Sequence, residues 1–164
     1  MVHIAYCSRR GIARAGSLMS IIWAVTFDCV DAQAQAAVWR LALGYVVEAS
    51  LPEGFASWPD WFAHFGVPED EWNDGAYIED PSGVRPGISF LKVPEPKVAK
   101  NRVHLDVQVG GGRGEPWAVR WPRVKEAVDR LVAAGGTVIR EDEQDGIPDH
   151  MVMADPEGNE FCVL

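Results

Sequence analysis

His104 is the most versatile side chain in this 164-residue sequence, because an imidazole titrating near neutrality can take a proton, give one or ligate a metal. It stands in Val103-His104-Leu105-Asp106-Val107-Gln108-Val109, where apolar and polar residues alternate. That period of two predicts a half-buried strand, with His104, Asp106 and Gln108 together on the polar face. A lone histidine there has three roles open to it: metal ligand, general base or hydrogen-bonded lining of a pocket. Asp28 and Asp106 are candidates for acid/base work if they lie near one another, since paired carboxylates shift each other's pKa. Glu160 and Cys162, two residues apart near the C-terminus, share one face of a strand. Cys162 also reads as a small apolar filler. The glycines of Gly110-Gly111-Gly112-Arg113-Gly114 fit neither a P-loop nor a dinucleotide fingerprint, so they read as a connector.

Two similar sets of elements must position these groups. Residues 21–30 are β-branched and aromatic enough for a strand. Asp31 then serves as N-cap of a helix ending at Gly44, with Ala32, Ala36, Trp39 and Leu43 at helical spacing. The second set begins at Val103 and continues with a helix started by Pro122, lined by Val124, Val128 and Leu131 and stopped by Gly135. Strands are expected at 45–49 and 87–93 in the first half, and at 137–140, 150–154 and 159–164 in the second. Asp80-Pro81-Ser82-Gly83 and Asp155-Pro156-Glu157-Gly158 are Asp-Pro-x-Gly turns at matching places, which points to an internal duplication. The joint is the proline-rich Val93-Pro94-Glu95-Pro96-Lys97. An insertion over 51–80, rich in Trp58, Trp61, Phe62, Phe65 and Trp72, reads as two short helices over one mouth of the domain, its aromatics forming their own core.

Charge narrows the partners. Fifteen basic against 24 acidic residues give a net charge of −9, and Arg9, Arg10 and Arg14, offset by no acid, leave −12 on residues 22–164. Such a body repels phosphate backbones and anionic lipid, which argues against nucleic acid and membrane as partners. Cys7, Cys29 and Cys162 form no CxxC pair, so neither a disulfide framework nor a zinc knuckle is expected, and a reducing cytoplasm is the simpler setting. Arg9-Arg10 ahead of an apolar run is similar to a twin-arginine export signal, but no small-residue cleavage site follows and Met19 reads as a natural start. Residues 1–20 are therefore expected to be a disordered extension.

The segments Phe27-Asp28-Cys29 through Ala42-Leu43-Gly44-Tyr45, Val93 to Lys97, Val103-His104-Leu105-Asp106 and Asp155 to Cys162 together resemble the glyoxalase-like branch of the vicinal oxygen chelate superfamily. That superfamily includes glyoxalase I, bleomycin-resistance proteins, fosfomycin-resistance enzymes and extradiol dioxygenases. The resemblance implies an α+β fold of two βαβββ modules forming an incomplete eight-stranded barrel with helices outside. Module one spans 21–93, the linker 94–100 and module two 101–164. In metal-using members the ligands come from the first and last strands of each module. Carried across, those positions fall on His104, near Ala24, near Phe90 and on Cys162, with Glu160 on the face of Cys162. Only His104 matches, so no metal cofactor is expected. The alternative is a divalent Zn, Ni, Fe or Mn ion held by His104 and Glu160.

By module symmetry Ala24, Thr26 and Asp28 should share a cleft with His104, Asp106 and Gln108, with Phe90 and Trp39 as apolar walls. The substrate-binding set is thus Thr26, Asp28, Trp39, Phe90, His104, Asp106, Gln108, Glu160 and Cys162, with His104 and Asp28 the best catalytic candidates. Function is expected to be binding of a small organic molecule without a full metal site. The alternatives are a metal-dependent lyase or isomerase acting on a vicinal-oxygen substrate, and a protein that sequesters a drug or metabolite, as bleomycin-resistance proteins do. Open sheet edges make a homodimer the expected assembly.

Overall fold

The computed structural model describes residues 23–47 and 54–164. The extension 1–20, and the parts of the expected strands at 21–22 and 48–49, lie outside the described residues. Module one contains β1 (Val25–Cys29), α1 (Ala32–Leu43), β2 (Val46–Val47), α2 (Trp58–His64), β3 (Gly75–Glu79) and β4 (Ile88–Lys92). Module two contains β5 (Asp106–Val107), α3 (Trp117–Ala133), β6 (Thr137–Gln144), β7 (Ile147–Ala154) and β8 (Glu160–Val163).

The two sheets have the same plan. Their strand orders are β1-β4-β3-β2 and β5-β8-β7-β6, with the first strand of each module parallel to the last and the remaining pairs antiparallel. The sheets are not joined into a closed barrel. One continuous core lies between sheets and helices, containing Cys29, Trp39, Ile78, Ile88 and Phe90 from module one and Val107, Leu131, Met153, Phe161 and Val163 from module two.

Local chemistry sets the helix ends. The Asp31 side chain accepts from the backbone N–H groups of Gln33 and Ala34, and Gly44 closes α1 with φ +65°, a conformation that favours glycine. α3 starts at Trp117, five residues before the expected proline, so Pro122 lies inside it. Tertiary contacts extend this helix: Trp117 stacks near Trp121 and donates from Nε1 to the Pro148 carbonyl, while Arg120 pairs with Asp149.

The two Asp-Pro-x-Gly turns are built around buried carboxylates. Asp80 accepts from the backbone N–H groups of Ser82, Val84 and Arg85 and from the Arg85 guanidinium, which holds its carboxyl well below the usual carboxylate range. Asp155 accepts from the N–H groups of Glu157 and Asn159, and its other oxygen accepts from Trp39 Nε1 at 3.0 Å. This last bond crosses between modules. Glu157 adds to it by accepting from the N–H groups of Val30 and Asp31 at the start of α1.

The insertion departs from expectation in one respect. α2 and a short 3₁₀ turn at Glu69–Glu71 occupy its first part, but its end, Gly75–Glu79, is strand β3, lying between β2 and β4. Its aromatics do pack on one another, with Phe62 stacked on Trp72 at 5.5 Å and Trp61 against Phe65 at 4.7 Å.

Candidate functional site

Register in sheet two determines which side chains meet. β5 pairs β8 with Asp106 opposite Cys162, β8 pairs β7 with Cys162 opposite Val152, and β7 pairs β6 with Val152 opposite Arg140. One row across the sheet therefore reads Asp106, Cys162, Val152, Arg140 on a single face. Phe161 and Val163 are fully buried on the other face, toward α3, so this row faces away from the helices. His104 lies two residues before Asp106 and falls on the same face. His150 lies opposite Asp142, two positions along from the Val152–Arg140 pair.

The face has an apolar floor and polar surroundings. Val152, Cys162 and Leu164 make a small buried cluster. Above it the Cys162 thiol lies 3.7 Å from Nε2 of His104, and Nδ1 of His104 lies 3.6 Å from the Asp106 carboxylate. The ligating atoms of these three residues all lie within 4.8 Å of one another. The His104 and Asp106 side chains are 44% and 64% exposed, so the cluster is open to an incoming molecule. Burial, then Asp106, pushes the Cys162 thiol up to about 11 despite the opposing pull of Arg140.

The neighbouring charges are already partnered. Lys100 Nζ donates to Glu160, holding that carboxyl below its ordinary range, and Asn101 Nδ2 donates to the Glu160 carbonyl. Glu160, expected as the second ligand beside His104 if a metal is bound, pairs with Lys100, and it is not among the three residues whose ligating atoms converge. Arg140 donates from Nε to both oxygens of Asp142, at 2.9 and 3.0 Å, and Asp142 also approaches His150 Nε2 at 3.2 Å. His150 Nδ1 meets buried Asp149, whose carboxyl is held well below the carboxylate range by Arg113 first, then by His150 and Arg120. His150, Arg140 and Asp142 were missed in the sequence. Their signal was the alternation Arg140-x-Asp142 facing His150-x-Val152 across a hairpin.

Other expected site residues divide. Thr26 and Asp28 are exposed on the face of β1 turned away from α1, opposite Ser89 and Leu91 of β4. They lie on a different sheet from His104. Gln108 is exposed beside the glycine loop, its Oε1 near Gly112. Phe90 and Trp39, each 1% exposed, are core residues with Phe27 between them, 5.7 Å from Phe90 and 5.1 Å from Trp39, and of the two Trp39 also borders a small cavity between the modules. Phe90 points inward because it has the parity of Ile88 on β4, and both lie in the core. Val103, on the apolar side of the predicted alternation, is 73% exposed.

Two cavities bear on the site. An open groove of about 600 Å³, lined by Arg40, Leu41, Tyr45, Val46, Val47 and Arg130, contains no group suited to proton transfer at neutral pH. A cavity of about 50 Å³ between the modules, lined by Val25, Phe27, Trp39, Val103 and Leu105 among others, has room for water but not for a substrate. Neither holds the His104 cluster, which is a surface feature of sheet two.

The two sheets repeat one strand order, each with its first strand parallel to its last. The sequence pattern of the glyoxalase-like domain matches residues 24–164, and the chain belongs to that family. Solved structures agree in fold. A glyoxalase/bleomycin resistance/dioxygenase family enzyme from Burkholderia phytofirmans PsJN is 18% identical with a TM-score of 0.50, covering 85% of this chain and 96% of that one. A possible glyoxalase from Bacillus cereus is 16% identical with a TM-score of 0.51, covering 89% and 99%. The fosfomycin resistance protein FosX from Listeria monocytogenes, in a mutant complexed with Mn(II) and dihydroxypropylphosphonic acid, is 13% identical with a TM-score of 0.51, covering 88% and 91%. No curated protein matches the chain.

His104, Asp106 and Cys162 supply a nitrogen, an oxygen and a sulfur within one small space. That set fits a borderline divalent cation better than a hard one. Asp106 lies outside the four positions that the resemblance implies.

Proposed function

We propose that this chain binds a small organic molecule on the open face of module two, with Val152, Cys162 and Leu164 beneath it and His104 and Asp106 as its polar contacts. The observation that carries this reading is the convergence of His104, Asp106 and Cys162 above an apolar floor. Ligand sites combine an apolar surface with a few convergent polar groups, and this is the face of the described residues with that character. Sequestration of a drug or metabolite is the non-catalytic form of the same reading. The proposal includes a homodimer, which would cover the open faces, and a cytoplasmic setting in which Cys29 and Cys162 stay free thiols. No helix among the described residues is long and apolar enough to cross a membrane.

A second reading, a metal-dependent lyase or isomerase, is favoured by the same three donors and by the Mn(II) recorded with the Listeria relative. An ion held by His104, Asp106 and Cys162 would supply Lewis acidity to a vicinal-oxygen substrate. Asp28, exposed on β1 in the other sheet, is the candidate for the proton-transfer carboxylate in that reading.

Calorimetric titration with small 2-hydroxy- and 2-oxo-carbonyl compounds and cationic aromatics tests both readings. At least one class should bind, and His104→Ala and Asp106→Asn should each weaken it about tenfold without changing the melting temperature. Binding that requires an added divalent cation favours the second reading over the first. Binding indifferent to both substitutions rejects this face as the site.

A further inference from the structure

The open groove of about 600 Å³ shares no lining residue with the face of module two. Two helix ends and the start of a strand make it. α1 stops at Gly44, whose φ of +65° turns the chain, and β2 begins at Val46, so Leu41, Tyr45, Val46 and Val47 gather around one corner. Arg40, in the last turn of α1, and Arg130, in the last turn of α3, complete the lining. One wall is firmly held. Tyr45 is buried, its hydroxyl donates to the Pro86 carbonyl at 3.0 Å, and the Arg85 guanidinium lies over its ring, 4.7 Å from the centroid. Pockets of roughly 300–1,000 Å³ accommodate small organic ligands, and this groove falls within that range.

Charge sets the groove apart from the rest of the chain. The net charge is −9, yet the lining has two arginines and no acid. A cation in the last turn suits the carbonyl end of a helix, but that interaction leaves a guanidinium free to bind something else. Among the described residues Arg130 pairs only with Glu126, one turn back at 3.1 Å, and Arg40 enters no ion pair and no side-chain hydrogen bond. Leu41, Val46 and Val47 are all exposed beside them. The surface is therefore apolar along its floor and cationic at its rim.

We propose that this groove binds a small amphipathic anion, an aliphatic or aryl body carrying one carboxylate or sulfonate. The body lies against Leu41, Tyr45, Val46 and Val47, and Arg40 and Arg130 supply the charge for the anionic group. Burial of the body contributes affinity, while the two guanidinium groups select against neutral and cationic molecules of the same shape. The site is independent of the function proposed for module two, since none of its residues belongs to that face.

The test is a fluorescence titration of the full chain with anilinonaphthalene sulfonate, an aryl anion, and with phenylnaphthylamine, its neutral counterpart. One equivalent of the anion should bind, about tenfold more tightly than the neutral amine. Decanoate should displace it, and decyltrimethylammonium should not. Both arginines are exposed, so their substitution leaves folding intact. Arg40→Gln should weaken the anion about threefold and the Arg40→Gln/Arg130→Gln double variant about tenfold, with the neutral probe unchanged. His104→Ala should change neither. Equal affinity for the two probes, anion binding indifferent to the double variant, or loss of binding in His104→Ala overturns the proposal. Failure of the anion to bind at all overturns it too, and assigns the groove to a second copy of the chain if Val47→Lys then converts a dimer to a single chain.

Discussion

The Cys162 side chain does two jobs that a sequence cannot separate. It fills space with Val152 and Leu164, as buried cysteines commonly do, and its sulfur faces His104 and Asp106. Burial first, then the charge of Asp106, pushes its thiol up to about 11. Cys29 is pushed up to about 11 as well, by burial and then by Glu157. At neutral pH both are thiols, and the thiolate is the nucleophile. Two pKa units above an ordinary thiol imply roughly 100-fold less thiolate at a given pH. In the metal-free native chain, alkylation of both positions by iodoacetamide at pH 7.5 should therefore be slower than in the urea-unfolded chain by at least that factor, as read by peptide mass spectrometry. The linkage has a definite sign: since the folded pKa lies above the unfolded one, the stability contributed by the neutral thiols is complete below about pH 9 and is lost as pH rises toward 11. Native alkylation of Cys162 as fast as in urea would mean that the site activates the thiol instead of suppressing it.

At the scale of elements, the duplication was legible because it rests on local chemistry. The Asp-Pro-x-Gly turns, the Asp31 cap and the alternation around His104 each carry their own physical cause. What was illegible depended on pairing between distant segments. Gly75–Glu79 is a strand because it finds β2 and β4, and its short glycine-led run after an aromatic insertion carried no period of its own. The 103–109 alternation predicted the faces of His104, Asp106 and Val107 correctly, but the hydrogen-bonded ladder comprises only Asp106 and Val107, and Val103 is left exposed. The turns make a quantitative claim. Asp155 satisfies its own turn and also the buried Trp39 indole of the other module. Asp155→Ala should cost about 2–4 kcal/mol in urea unfolding, since it orphans a buried indole N–H and two turn N–H groups at once. A loss below about 1 kcal/mol would show that the inter-module junction relies on packing alone.

At the scale of the molecule, the family resemblance and the two-sheet plan were readable, while the site was readable only in part. His104, Asp106 and Cys162 were all named from the sequence, yet their convergence depends on the parallel register of β5 and β8, which no spacing encodes. Phe90 is buried in the core, and Trp39, on the buried stripe of α1, borders the small inter-module cavity. The same plan has a consequence for assembly. β1 and β5 approach one another across the small inter-module cavity, so the outer edges of the molecule are β2 and β6. Outer strands with unpaired backbone groups and apolar side chains invite a partner. On β6, Val138 and Ile139 are 41% and 46% exposed, and on β2 Val46 and Val47 are 40% and 52% exposed. The proposed homodimer would bury one of these edges. Light scattering at about 10 μM protein should give twice the chain mass, and Ile139→Lys should return it to one chain mass if β6 is the joining edge. The corresponding change on β2, Val47→Lys, should then leave the dimer intact. A wild-type chain that scatters as a monomer across the micromolar range would reject the dimer and require the open face of module two to bind its ligand unaided.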